Sequence, residues 1–318
     1  MDKYPLGNTD IQTPPIIFGG NVFGWTLDEQ ESFRMLDDLL EAGFNTIDTA
    51  DIYSRWVDGN EGGVSEKIIG NWMADRGVRE QVNIITKVGK DMGQGHVDLT
   101  EPYILDAVED SLKRLQIEQI DLYLSHTDDK NTPMEETLGA YQKLIEQGKV
   151  RNIGASNFSA DRLKKALNIS EKHDLPRYEV LQPEYNLYDR KKFENEMFPV
   201  CKEQGLGVIP YFSLGSGFLT GKYRSEDDMA GQERSDFVEK YFNERGYRIL
   251  DALDDIAEKH EISQAGVALA WLINKPMVTA PIASATKEQH LEAFVEAVNV
   301  DLSDEDMQLL NEASRYKD

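Results

Sequence analysis

The chain has 318 residues, 40% of them hydrophobic, enough to bury a large core. Its single cysteine, Cys201, excludes an intrachain disulfide and points away from a thiolate metal site. With 58 acidic against 34 basic residues the formal charge is −24, which repels nucleic-acid backbones and anionic membranes, so neither is expected as a partner.

The opening stretch MDKYPLGNTD has no apolar signal core, and no run reaches the length of a bilayer span, so a cytoplasmic setting is expected. Residues 4–6 and 11–13 flank the turn chemistry Gly7-Asn8-Thr9-Asp10 and predict an N-terminal hairpin, which in front of a barrel can plug its floor. Short β-type runs then recur at 16–18, 45–47, 82–86, 120–124, 150–155, 180–182, 207–210 and 279–282. Between them lie stretches of helical period, such as Phe33/Leu36/Leu40, Ile104/Val108/Leu112/Leu115 and Leu138/Tyr141/Leu144/Ile145. Thr132-Pro133-Met134-Glu135 reads as a capping box with proline at the first helical position, and Gly148 ends that helix. Strands starting roughly thirty residues apart fit one strand-plus-helix unit each. Eight units predict an α/β fold, a closed (β/α)8 TIM barrel forming a single domain over residues 1–318.

Two places break the rhythm. About seventy residues separate the last two strands; they hold the charged segment 223–246, a candidate lid, and the helical pattern Tyr247/Leu250/Leu253/Ile256. After the last barrel helix, Ser303-Asp304-Glu305-Asp306 is a capping box that predicts an extra C-terminal helix.

In such a barrel the chemistry stands just past each strand. The stretch from Asn45 to Tyr53 delivers a carboxylate, Asp48, and then a phenol, Tyr53; Lys87 is expected at the tip of the third strand and His126 just beyond the fourth. Singly, such a lysine reads as a snorkelling surface group and such a histidine as a satisfied hydrogen-bonding group. Together the four form an acid/base device for a carbonyl or alcohol, with Asp48 holding the Lys87 ammonium charged and aimed at a phenol whose ordinary pKa is near 10. The five histidines are far apart in sequence, with no HxH or HExxH pair, so no metal is expected. A Schiff base on Lys87 fits less well, because a carboxylate partner keeps the amine charged and unreactive.

Residues 211–222 are rich in small side chains whose backbone can approach a pyrophosphate, although Gly217 to Gly221-Lys222 is one residue short of a Walker loop. Thr286-Lys287-Glu288-Gln289 reads as a further capping box, opening a helix whose free N–H groups make a phosphate site. Trp25 and Trp56, on loops after the first two strands, are candidates to wall an apolar substrate pocket, and the small Thr127 beside His126 leaves room for a substituted or ring-shaped carbonyl.

These pieces together resemble the aldo-keto reductase superfamily over nearly the whole chain. The motifs are Asp48-Thr49-Ala50-Asp51-Ile52-Tyr53, Gly62-Gly63-Val64-Ser65-Glu66, Thr86-Lys87, Asp121-Leu122-Tyr123 to His126, Gly154-Ala155-Ser156-Asn157-Phe158, Gln182, Tyr185-Asn186, and Gly217 to Lys222. The resemblance implies an NAD(P)H-dependent reductase of small aldehydes and ketones, with Tyr53 as general acid, Lys87 and Asp48 tuning it, and His126 orienting the carbonyl. It implies that Ser156, Asn157 and Gln182 hold the carboxamide, that Tyr211 stacks on the nicotinamide, and that Ser213, Leu214, Gly215, Gly217 and Lys222 take the pyrophosphate. Gly20, Asn21, Asp48, Ser284, Thr286, Lys287 and His290 complete the expected cofactor set, and Trp25, Tyr53, Trp56 and His126 the substrate set. Two departures stand out. Tyr211-Phe212-Ser213-Leu214 replaces the Tyr-Ser-Pro-Leu of many relatives; His290, Ala293 and Phe294 stand where many have Arg and Glu-Asn. NADP(H) is the expected cofactor, with Lys287 or His290 supplying positive charge, and NAD(H) the second choice. A nucleotide-binding regulatory subunit with little turnover is the alternative reading, and no motif specifies an oligomeric state.

Overall fold

The structure is a computed structural model and describes residues 1–225, 228 and 235–316. Eight parallel strands follow one another around one sheet: β3 (Ile17–Gly19), β4 (Thr46–Asp48), β5 (Asn83–Val88), β6 (Ile120–Ser125), β7 (Val150–Ser156), β8 (Val180–Gln182), β9 (Gly207–Val208) and β10 (Ile282–Ala283), with β10 beside β3. Backbone bonds close the ring at the remaining seam, where the Thr279 N–H donates to the Val208 carbonyl and the Ile282 N–H to the Pro210 carbonyl, both at 2.8 Å. This is the (β/α)8 barrel expected of the sequence pattern. The hairpin is there as well: β1 (Tyr4–Pro5) pairs antiparallel with β2 (Gln12–Thr13).

Side-chain alternation along the strands sorts the apolar residues into two cores. Ile17, Ile85, Leu122, Leu124, Val180, Ile209 and Ile282 point inward and meet Leu6 and Ile11 from the hairpin, whose turn fills the floor. Their neighbours Phe18, Ile47, Ile84, Tyr123, Ile153 and Leu181 point outward, into the layer shared with the surrounding helices. Each fully buried side chain of this size contributes roughly 1.5–3 kcal/mol.

The helix Glu29–Glu41 opens on a capping box between Asp28 and Glu31, and Asp304–Ala313 on the expected box between Ser303 and Asp306. Between β9 and β10 lies the extra helix Glu244–His260, capped by Asn243, and it packs against the C-terminal helix through Lys259 and His260, which both bond Asp306. Of the candidate lid, residues 226–227 and 229–234 lie outside the described residues. None of the described helices is long and apolar enough to cross a membrane.

Two expected caps are absent. The helix Met134–Glu146 begins after Pro133, which is its N-cap rather than its first residue, because the Thr132 hydroxyl is drawn off to Asp129 Oδ2 at 2.6 Å. The helix Glu288–Asn299 is preceded by Lys287 with no side-chain cap, and Thr286 instead donates its backbone N–H to His290 Nδ1 at 3.2 Å.

Candidate active site

The inward series of each strand predicts what crowns the barrel. Ile85 is followed two residues on by Lys87, Thr46 by Asp48, Val180 by Gln182, and Leu122 and Leu124 by His126. A period of two keeps all of these on the inner face, so the apolar interior ends in a polar layer at the C-terminal rim. Lys87 is not beyond its strand, as the sequence pattern suggested, but inside it, paired with Leu124, because β5 runs on to Val88. Its side chain is completely buried. It has no need to reach water, because every proton of its ammonium has an acceptor.

Those acceptors are Asp48 Oδ2 at 2.7 Å, the Thr49 carbonyl at 2.7 Å and the Tyr53 hydroxyl oxygen at 2.9 Å. On the far side of Asp48, Gln182 Nε2 donates to Oδ1 at 2.8 Å. Burial pushes the Asp48 carboxyl up and the Lys87 ammonium down, and each is opposed by the other's charge. Burial, with the charge of Asp48 behind it, pushes the Tyr53 phenol well above its usual range. The phenol therefore keeps its proton at neutral pH. Its oxygen receives the Lys87 N–H, so its own proton is free to point at a ligand.

Local structure fixes the phenol. The Tyr53 N–H bonds back to the Ala50 carbonyl at 3.1 Å, and Ser54 takes a left-handed φ of 71°, its hydroxyl anchored on the Phe23 carbonyl at 2.6 Å. His126 stands with its ring 6.0 Å from that of Tyr53. Burial, and then the charges of Lys87 and Lys90, hold its imidazole well below its usual range, so it is neutral. Its Nδ1 is buried without a hydrogen-bond partner. Trp56 packs edge-on against both Tyr53 and Trp25, at 6.0 and 5.6 Å, and is 49% exposed, so the expected aromatic wall forms at the open side of the site.

The expected cofactor residues fall into three groups. Ser156, Asn157, Gln182 and Tyr211 meet beside the catalytic candidates: the Ser156 hydroxyl donates to the Gln182 carbonyl at 2.9 Å, and the Tyr211 hydroxyl to Asn157 Oδ1 at 2.8 Å. Ser213, Leu214, Gly215, Gly217 and Lys222 share one turn after β9, in which Phe212, Gly215, Ser216, Gly217 and Gly221 all have positive φ. At Gly217, with φ 98°, a Cβ would stand 3.1 Å from Lys222 Cε, so the lysine folds back over the turn. Repeated left-handed backbone with an ammonium above it suits a pyrophosphate. Asn21 and Ser284 meet at the seam of β3 and β10, the Ser284 hydroxyl lying 2.7 Å from Asn21 Oδ1. Gly20 sits apart from these, buried, with its carbonyl receiving the Ser65 hydroxyl at 2.7 Å. Thr286 and His290 bond each other, and the Lys287 side chain is exposed beside them.

Three features of the site escaped the sequence pattern. The Thr49 carbonyl, third acceptor of Lys87, is backbone and has no residue signature. Asp51 was part of a quoted motif without a role; it is buried with neither carboxylate oxygen bonded, and burial together with the charge of Glu66 pushes it up to about 8. Lys90 was passed over, although a lysine just after Gly89 at a barrel rim is a visible signal.

A model of the Aldo/keto reductase family matches residues 15–315. A Bacillus subtilis protein named as an uncharacterized oxidoreductase, YrpG, is 35% identical over 98% of this chain and 95% of its own length. A probable voltage-gated potassium channel subunit beta of Oryza sativa is 31% identical over 94% of this chain and 92% of its own. A putative aryl-alcohol dehydrogenase of Schizosaccharomyces pombe is 31% identical over 96% of this chain and 94% of its own.

Proposed function

This chain belongs to the aldo/keto reductase family of NAD(P)H-using oxidoreductases, and from that premise we propose that it reduces small aldehydes and ketones to alcohols, with Tyr53 as the general acid. The observation that carries the reading is the Lys87 ammonium, held by Asp48 at 2.7 Å and donating to the Tyr53 oxygen at 2.9 Å. As the phenol gives its proton to a carbonyl oxygen, negative charge grows on an atom that already receives an ammonium N–H. Neutral His126 donates a hydrogen bond to the same carbonyl oxygen and fixes its approach. Trp25 and Trp56 shield the organic part of the substrate from water.

Ser156, Asn157 and Gln182 would hold the carboxamide, Tyr211 the ring face, residues 213–217 with Lys222 the pyrophosphate, and Asn21, Ser284 and Thr286 the rim beside them. Bound there, a reduced nicotinamide supplies the hydride. Lys287 and His290 offer positive charge to a 2′-phosphate, so NADPH is the preferred cofactor and NADH the second.

The test is turnover of a reactive aromatic aldehyde with NADPH, followed by nicotinamide absorbance. Tyr53→Phe lowers kcat by about 10²- to 10⁴-fold, the usual worth of a general acid, while cofactor binding persists. Full activity in that variant would remove Tyr53 from the role. A second reading, a regulatory subunit that binds nucleotide and turns over little, takes its support from the name of the rice relative. Tight NADPH binding without turnover on any aldehyde would favour it.

A further inference from the structure

Among the described residues Lys90 is the one lysine that is neither exposed nor engaged in a hydrogen bond or ion pair. Gly89, at φ 108° and with no room for a Cβ against Leu99, turns the chain out of β5 and sets Lys90 on the rim, where its carbonyl receives the Gln94 amide at 3.2 Å. The Lys90 ammonium is close enough for its charge to act on both Lys87 and His126. The carboxyl whose charge reaches it, Asp51, is buried and is the neutral acid at pH 7, so it does not compensate. A half-buried cation loses hydration, and here no protein group replaces that loss.

The next rim loop adds to this. Arg55, two residues past Tyr53, makes no ion pair either; its Nη1 donates to the Asp91 carbonyl at 3.3 Å, tying the two loops together. A cavity of about 630 Å³ opens between them, lined by Arg55, Asn60, Met92 and one carboxylate, Glu61. In a chain of formal charge −24, two unpaired cations at one mouth mark a place for an anion. That anion is not the cofactor's pyrophosphate. The turn assigned to it follows β9, which lies four strands from β5 in either direction around the ring of eight.

We propose that the site takes carbonyl substrates bearing a carboxylate, held by the Lys90 ammonium while the carbonyl oxygen faces Tyr53 and His126. This deepens the reductase reading and rests on it. One ammonium with an arginine behind it matches a single negative charge on a short, ring-sized spacer.

The experiment compares 4-carboxybenzaldehyde with its methyl ester, using the full chain and NADPH, in wild type, Lys90→Gln and Lys90→Arg. The expected wild-type kcat/KM ratio of acid over ester is about tenfold, the worth of one charged hydrogen bond. It falls to near one in Lys90→Gln, mainly through KM, and returns in Lys90→Arg. Turnover of both aldehydes with a ratio near one in wild type, or a ratio untouched by Lys90→Gln, overturns the proposal and leaves the reductase reading standing. Benzoate and benzamide, titrated by quenching of tryptophan fluorescence, give a readout independent of turnover. Benzoate binding that is lost in Lys90→Gln, without reduction of either aldehyde, keeps the anion site and removes the reductase reading; equal binding of the two removes the anion site.

Discussion

Lys87 and Asp48 form an ion pair of 2.7 Å in which neither side chain touches bulk water, one fully buried and the other 2% exposed. A pair of this kind contributes little to net stability yet costs a great deal when broken from one side. Lys87→Met leaves Asp48 alone and is expected to destabilise the fold by about 3–5 kcal/mol, whereas Lys87→Met with Asp48→Leu recovers most of that loss and stays inactive. Urea unfolding of the two variants, with turnover measured alongside, checks the expectation. A double variant no more stable than the single one would contradict it.

His126 is neutral because burial and two ammonium groups hold its imidazole well below its usual range. The profile of kcat/KM against pH should therefore lack a step near 6.5, the ordinary histidine value. Rates measured from pH 5.5 to 8 decide this, and a titration centred near 6.5 that vanishes in His126→Asn would refute it.

Asp51 binds its proton more tightly in the folded state, pushed up to about 8, than in the unfolded chain, where an aspartate titrates near 4. Its contribution to stability is complete below pH 4, declines as the pH rises from about 4 to 8 and is lost above that, by at most about 5 kcal/mol. Asp51→Asn copies the neutral acid. It should be more stable than wild type above pH 8, with a flatter dependence between pH 4 and 8. Chemical denaturation at a series of pH values tests this, and parallel curves for the two proteins would sink it.

Lys287 is exposed beside Thr286 and His290, with no cap to hold it. If it faces a 2′-phosphate, Lys287→Ala raises KM for NADPH about five- to tenfold and leaves KM for NADH unchanged. A lower KM for NADH than for NADPH in the wild-type protein would reverse the cofactor preference proposed above.

The strands were legible because each is a short apolar run bounded by polar loops, and parity along them carried Asp48, Lys87, His126 and Gln182 to one rim. What the pattern concealed was depth. Lys87 looks like a surface lysine until three acceptors from two other segments surround it. The caps at Thr132 and Thr286 failed for a related reason: a hydroxyl adjoining a helix start has several partners within reach, and Asp129 and His290 competed successfully. Lys90 and Asp51 owe their character to what lies across the loops from them, which spacing along the chain does not encode.

Leu6 and Ile11, sealed against the inward residues of the barrel, give the molecule a bottom. With one end stoppered, dinucleotide and carbonyl compound have to pass through a single doorway. Whichever settles deeper has to arrive first and depart last, so traffic through this protein is sequential, and the release of the spent dinucleotide can pace each cycle however fast the proton moves.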